Sequence, residues 1–221
     1  MFPVVTALGG RRSWVRIAAG AVMAAVMVGS AACTGPQQTP VAGAAALVGT
    51  TRISDAALAQ QVGELFAAGQ RPTGTKDPFA PRVILSRDII MTLLDVVAAE
   101  NGVSVSQGEL DGVLLKYEQD VQGKAAMEEV FLKKLIPPSQ IAPWVRANLL
   151  AKALSLKLAP DQSIEQAQAT LNAALTEASL RLGTQVSPRY GAWDPKTLTI
   201  IEAPNRLSVP AVPGASAPPA S

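Results

Sequence analysis

The most apolar stretch of the chain runs from Arg82 to Asn101. There Val83, Ile84, Leu85, Ile89, Ile90, Met91, Leu93, Leu94, Val96 and Val97 surround one polar stripe, Asp88, Thr92 and Asp95, at i, i+4, i+7. A helix patterned this way belongs at the centre of a bundle. The acidic stripe reads as its solvated face, since Asp88 and Asp95 stand two turns apart, too far to act as a carboxylate pair. Gly102 marks the stop. Upstream, Ser54 is placed to cap a helix carrying Leu58, Val62, Leu65 and Phe66 at i, i+4, i+7, i+8. Residues 70–81, with Gly74 and three prolines, predict a loop.

Four more helices follow by the same reasoning. Ser106-Gln-Gly-Glu109 is a capping-box pattern ahead of Leu110, Val113, Leu114, Tyr117 and Val121. Met127, Val130, Phe131 and Leu135 form the next face, ended by Pro137-Pro138. Pro143 suits a first turn, before Trp144, Ala147, Ala151, Leu154 and Leu158. Ser163-Ile-Glu-Gln166 is a second capping box, opening a helix with Ile164, Ala167, Leu171, Leu175, Ala178 and Leu182 that Gly183 stops. At both ends the period changes. Ala45 to Ile53 is strand-like, with Gly49 at a turn or bulge, and 186–194 and 196–201 predict two short strands about Asp194-Pro195. The expected fold is mainly α: a helical bundle over residues 45–202, closed by a small antiparallel β-sheet from the N- and C-terminal ends of the domain. The Pro/Ala/Ser-rich segment 203–221 reads as a disordered tail.

The first 32 residues predict an export signal. Arg11, Arg12 and Arg16 precede an apolar run from Ile17 to Val28 and the small residues Gly-Ser-Ala-Ala before Cys33. As a helix, Ile17–Ala32 would reach about 24 Å, short of a ~30 Å bilayer core. Ser30-Ala31-Ala32-Cys33 resembles a bacterial lipobox, in which the cysteine receives a diacylglyceryl thioether, although Ser30 stands where Leu is usual. The same Ser-x-Ala suits ordinary signal peptidase. The chain's one Cys at this junction, followed by the tether-like segment 33–44, favours the lipidated reading. Arg11-Arg12-Ser-Trp-Val also resembles a twin-arginine export motif, with a generic basic n-region as the alternative.

Composition narrows the chemistry. The chain has no histidine and a single cysteine, which removes Ser/His/Asp catalysis, His-bearing zinc sites, intramolecular disulfides and CxxC redox pairs. Of 19 basic groups three lie in the export signal, so 16 face 17 acidic ones beyond it, a balance of −1. That is no electrostatic footprint for nucleic acid. Glu128-Glu129 point in different directions on a helix, and Arg87 and Lys133-Lys134 read as surface charge. No phosphate loop, hydrolase elbow or EF-hand loop is present. No cofactor, no metal site and no enzyme chemistry is expected.

The order of elements resembles a known family. Leu47-Val-Gly-Thr-Thr-Arg-Ile-Ser54 is similar to the opening of the SurA N-terminal domain family, the chaperone core of SurA- and PrsA-type extracytoplasmic foldases. Val103-Ser-Val-Ser-Gln-Gly-Glu-Leu110 resembles that family's entry into its second long helix. Val186-Ser-Pro-Arg-Tyr-Gly-Ala-Trp-Asp194 is similar to the closing strand of lipoprotein members without an isomerase domain. No parvulin domain of the usual size of about 90 residues separates helices from closing strand here. The resemblance therefore implies chaperone-like binding without prolyl isomerisation: an apolar cradle, lined by Leu65, Phe66, Tyr117, Phe131, Trp144 and Trp193, that holds unfolded or partly folded exported proteins. Each of these six residues also fits a plain core position. The expected protein is a lipoprotein anchored through Cys33 on the extracytoplasmic face of the membrane. A non-catalytic adaptor for one envelope partner is the alternative, and the oligomeric state is open.

Overall fold

A computed structural model describes residues 42–69 and 79–202, all within the unit Thr39–Ser221. The export signal, Cys33 and the segment from residue 203 lie outside the described residues. Along the chain run β1 (Ala44–Val48), β2 (Thr51–Ser54), α1 (Asp55–Ala68), α2 (Phe79–Glu100), α3 (Gln107–Asp120), α4 (Lys124–Lys133), α5 (Ile141–Leu158), α6 (Ile164–Leu182), β3 (Gln185–Val186), β4 (Ala192–Asp194) and β5 (Thr199–Ile201). A 3-10 turn, Pro138–Gln140, leads into α5. The architecture is a mainly helical bundle of six helices with small antiparallel sheets at its N- and C-terminal ends.

Helix α2 is the hub. Ile84, Leu85, Ile89 and Leu93 are fully buried, because α1, α5, α6, β1 and β5 all pack against it. A smaller apolar cluster, built on Leu110, Met127, Phe131, Ile136, Ile141 and Val145, lies where α3, α4 and α5 meet. Helix ends follow the sequence signals. Ser54 and Ser106 accept from Ala57 N and Glu109 N. Ser163 and Gln166 form the full reciprocal box, whereas Glu109 returns no bond to Ser106 among the described contacts. Helix α2 begins earlier than the loop reading of 70–81 predicts. Pro81 stands in its first turn, where the missing N–H has no intrahelical acceptor to lose.

The two ends of the domain are joined in one sheet of order β2-β1-β3. Val48 pairs with Thr51 around a two-residue Gly49-Thr50 turn, so the predicted strand 45–53 is a hairpin, with a register shift between Ala44 and Ala46. Ala46 faces Val186 and Leu47 faces Gln185, and Ser187 N donates to Ala45 O at 2.8 Å. The predicted strand 186–194 is broken. Pro188 has no N–H for a ladder, and Tyr190 N and Gly191 N fold back onto Ser187 O and Pro188 O. The chain then resumes as β4, which pairs with β5 from Ala192↔Ile201 to Asp194↔Thr199. The second strand therefore starts at Thr199 rather than Lys196. Asp194 holds the intervening turn by accepting from Lys196 N and Thr197 Oγ1.

Two glycines in left-handed backbone separate conformational from steric constraint. Gly183, φ +64, ends α6 with open space where a Cβ would stand; Gly191, φ +125, would place its Cβ 2.2 Å from the Ile201 carbonyl oxygen. Gly183→Ala is expected to cost about 1 kcal/mol, and Gly191→Ala more than about 3 kcal/mol because strain and a backbone clash add. Urea unfolding of the two variants measures both.

Candidate functional site

The six residues expected to line one cradle are spread over three places. Leu65 and Phe66 are buried in the main core beneath α1. Trp193 packs against the same core, and its indole Nε1 donates to Ser179 Oγ at 2.7 Å. Tyr117, Phe131 and Trp144 come together as a chain of edge-to-face contacts. Their centroid separations are 5.8 Å for Tyr117–Phe131 and 5.4 Å for Phe131–Trp144. Lys134 Nζ lies 5.9 Å and 5.8 Å from the Phe131 and Trp144 rings. Phe131 is buried, Trp144 half-buried and Tyr117 exposed.

Of the six, only Trp144 lines an open groove on the face of α2. That groove has a volume of about 870 Å³ and runs between α2, α5, α6 and the β4–β5 hairpin. Its wall on α2 is Val83, Ile90, Met91 and Leu94, on α5 Trp144, Ala147 and Ala151, and on α6 Leu171 and Leu175. Leu198 and Ile200 complete it from the hairpin. Leu198 is buried although its φ is +52, a conformation that non-glycine residues seldom take. Ile200 N donates to Ser86 Oγ at 3.1 Å, which pins β5 across α2. The side-chain amides of Asn148, Gln168 and Asn172 stand among the apolar groups. Among the described residues Arg82, Arg87 and Lys196 are the charged members of the lining, and no described carboxylate shares it. The signal for this groove in the sequence was the excess apolar surface of α2. Nothing in the periodicity showed which face would stay uncovered.

Two charge readings are corrected. Arg87 is not free surface charge: Nη1 and Nη2 donate to Leu135 O at 2.7 Å and Lys134 O at 3.0 Å, closing the C-terminal end of α4. Burial lowers its pKa, against the opposing charge of Asp88. Asp88 is not on a solvated face. It is only 9% exposed because α1 lies over that part of the stripe, and Gln61 Nε2 donates to its Oδ2 at 2.9 Å. Burial pushes its pKa up to about 6, against the Gln61 hydrogen bond and the Arg87 charge. Asp95 does reach solvent, paired with Arg146 at 2.5 Å.

A polar clasp sits at the joined ends. Arg189 bridges to Asp55 in the first turn of α1 and stacks 4.6 Å from the Tyr190 ring centroid. Tyr190 OH donates to the same Asp55 carboxylate at 3.2 Å. Burial raises the Tyr190 pKa, so the phenol stays protonated and able to donate. Among the described residues no three His, Cys, Asp or Glu side chains gather as metal ligands would, and no helix is long and apolar enough to cross a membrane. What the site offers is open apolar surface with amide and cationic groups at its margin.

Comparison with protein-family models, curated proteins and solved structures finds no match to this chain.

The Arg87 contacts give a test of how the groove is framed. Arg87→Met keeps the aliphatic stem and removes two charge-assisted hydrogen bonds, so it is expected to destabilise the domain by about 2 kcal/mol in urea unfolding.

Proposed function

We propose that the domain binds exposed apolar polypeptide segments in the groove between α2, α5, α6 and the β4–β5 hairpin, as a SurA-like chaperone without isomerase activity. The observation that carries this reading is the half-open, aliphatic groove of about 870 Å³, a volume in the range of ligand-binding clefts. Its chemistry suits loose recognition. Aliphatic walls and one indole give contact without sequence readout, and the amides of Asn148, Gln168 and Asn172 can meet peptide backbone groups of either polarity. Each captured apolar side chain contributes about 1.5–3 kcal/mol before ordering costs, which gives weak, reversible holding. With three cations and no carboxylate among the described lining residues, neutral or acidic apolar segments fit better than basic ones. The resemblance of segments 47–54, 103–110 and 186–194 to the SurA N-terminal domain family supports the same reading. Here the cradle is assigned to the groove, with Trp144 as the one member of the expected set that lines it.

The test is suppression of aggregation of a reduced, unfolded client at several-fold molar excess of the protein. Ala151→Gln puts an amide into the apolar wall while keeping good helix propensity. It is expected to weaken client capture about tenfold, from the ~1–3 kcal/mol cost of a poorly partnered polar group. No suppression by the wild-type chain overturns the holdase reading. Capture of one stoichiometric partner from membranes would then favour the adaptor.

The same proposal places the domain on the outer face of a membrane through a lipid on Cys33. Mass spectrometry of the mature N-terminus should find a diacylglyceryl-modified Cys33, and Cys33→Ser should move the protein from the membrane to the supernatant. An unmodified thiol at that position defeats the anchoring claim and leaves the groove reading intact.

A further inference from the structure

The contact between α1 and α2 contains two matching deficits. Gln61 Nε2 donates to Asp88 Oδ2 at 2.9 Å, and the remaining oxygen of each group, Gln61 Oε1 and Asp88 Oδ1, is buried with no hydrogen-bond partner. With Asp88 ionised both atoms are acceptors only, so neither can satisfy the other. Turning the amide over gives no relief, since it would set Oε1 against Oδ2 and lose the bond that exists. A carboxylic acid and a primary amide resolve this together. The amide N–H donates to one carboxyl oxygen while the acid O–H donates back to the amide oxygen, closing an eight-membered ring. One proton converts two orphaned acceptors into one hydrogen bond.

We propose that in mildly acidic solution Asp88 is a neutral acid in the folded protein, its proton held in a cyclic acid–amide pair with Gln61 that clasps α1 to α2, and that losing this proton as the solution becomes neutral loosens α1. The inference is independent of what the groove binds. No ionic neighbour is bonded to the pair, although the nearby Arg87 charge favours the ionised form of Asp88. Arg87, on the same helix, is committed to the Leu135 and Lys134 carbonyls. The cleft beside the pair, about 620 Å³, also receives Arg52 from β2, Asp95 from α2 and Arg146 from α5. Arg52 donates to Ala42 O at 2.8 Å, and Arg146 is paired with Asp95. From α1, α3 and the 3-10 turn that cleft receives the uncharged Gln61, Gln107 and Gln140. No cation is therefore bonded to Asp88, and burial raises its pKa from 3.8 to about 6.

The direction of the pH effect follows. The folded state binds this proton more tightly than the unfolded chain, so the contribution is complete below about pH 4 and is lost as pH rises through about 6. A difference of about two pKa units corresponds to about a hundredfold in the folding equilibrium constant. Asp88→Asn isolates it. Asparagine supplies a permanent N–H for Gln61 Oε1 and keeps an acceptor for Gln61 Nε2, so it mimics the protonated pair at every pH.

Three measurements on the full chain decide the matter. In urea unfolding, with wild type and Asp88→Asn about equally stable at pH 4.5, the folding constant of the variant at pH 7.5 should be about twenty- to thirtyfold higher, the part of the hundredfold span that lies above pH 4.5. Carbon-13 NMR of labelled aspartate should show the Asp88 carboxyl titrating near pH 6. Amide exchange in residues 58–66, corrected for intrinsic rate, should accelerate above that pH in wild type and not in the variant. A wild-type/variant stability ratio that does not change with pH, a carboxyl midpoint below 4.5, or α1 protection indifferent to the ionisation overturns the proposal. Should Asp88→Asn fail to fold, the carboxyl titration and the wild-type exchange profile still decide it.

Discussion

A helix that is apolar on nearly every side cannot be left facing water, and α2 imposes that requirement on the rest of the domain. Ile84, Leu85, Ile89 and Leu93 are fully buried, each contributing about 1.5–3 kcal/mol relative to exposure. No single neighbour can supply that cover. Helices α1, α5 and α6 do most of it, while the sheet at each end of the chain closes what they leave, β1 and β5 both packing on α2. The second apolar cluster, built by α3, α4 and α5, stands apart from this hub. It is tied back by Arg87, which reaches from α2 to the carbonyls that end α4.

Covering α2 with segments distant in sequence requires a device to hold the ends, and residues 186–194 are that device. Val186 pairs with β1, Pro188 stops the ladder, Arg189 and Tyr190 reach Asp55 at the start of α1, and Gly191 lets the backbone pass beneath Ile201 O. Trp193 ties the returning strand to α6 through Ser179, and Asp194 fixes the turn that presents Leu198. Arg181 adds a bond from α6 to Glu100 at the end of α2. Almost every side chain in this nonapeptide has an assignable structural duty, so a lone aromatic such as Trp193 belongs to closure rather than to a binding wall.

Much of this was legible because helix signals are local. Ser54, Ser106 and Ser163 cap where their spacing to an apolar face predicts, and Gly102 and Gly183 stop helices in left-handed backbone. The meeting of the two ends was also legible, since a change of period at both termini leaves backbone groups that only each other can satisfy. The errors fall where tertiary contact decides. Asp88 belongs by spacing to the same stripe as Asp95, yet α1 lies over one and not the other. Arg87 shows nothing in sequence of the helix end it closes. The six expected cradle residues do not gather in one place, because Leu65 and Phe66 face inward from α1, while Tyr117, Phe131 and Trp144 stack on one another. Helical spacing marks a residue as facing something, not what it faces.

The groove and the Asp88 contact are two outcomes of the same covering problem. Over Asp88 the cover is nearly complete, and a polar side chain is trapped where an uncharged, reciprocally bonded partner suits it best. Over Val83, Ile90 and Met91 the cover stops short, because β5 is only three residues long and the hairpin must turn at Leu198 to reach α2 at all. A longer β5 or a bulkier residue than Ala151 on α5 would fill that space with ordinary core. The sequence instead puts a buried leucine in left-handed backbone at one side and small residues, Ala147 and Ala151, at the other, which keeps the groove open while Ile84, Leu85, Ile89 and Leu93 stay buried.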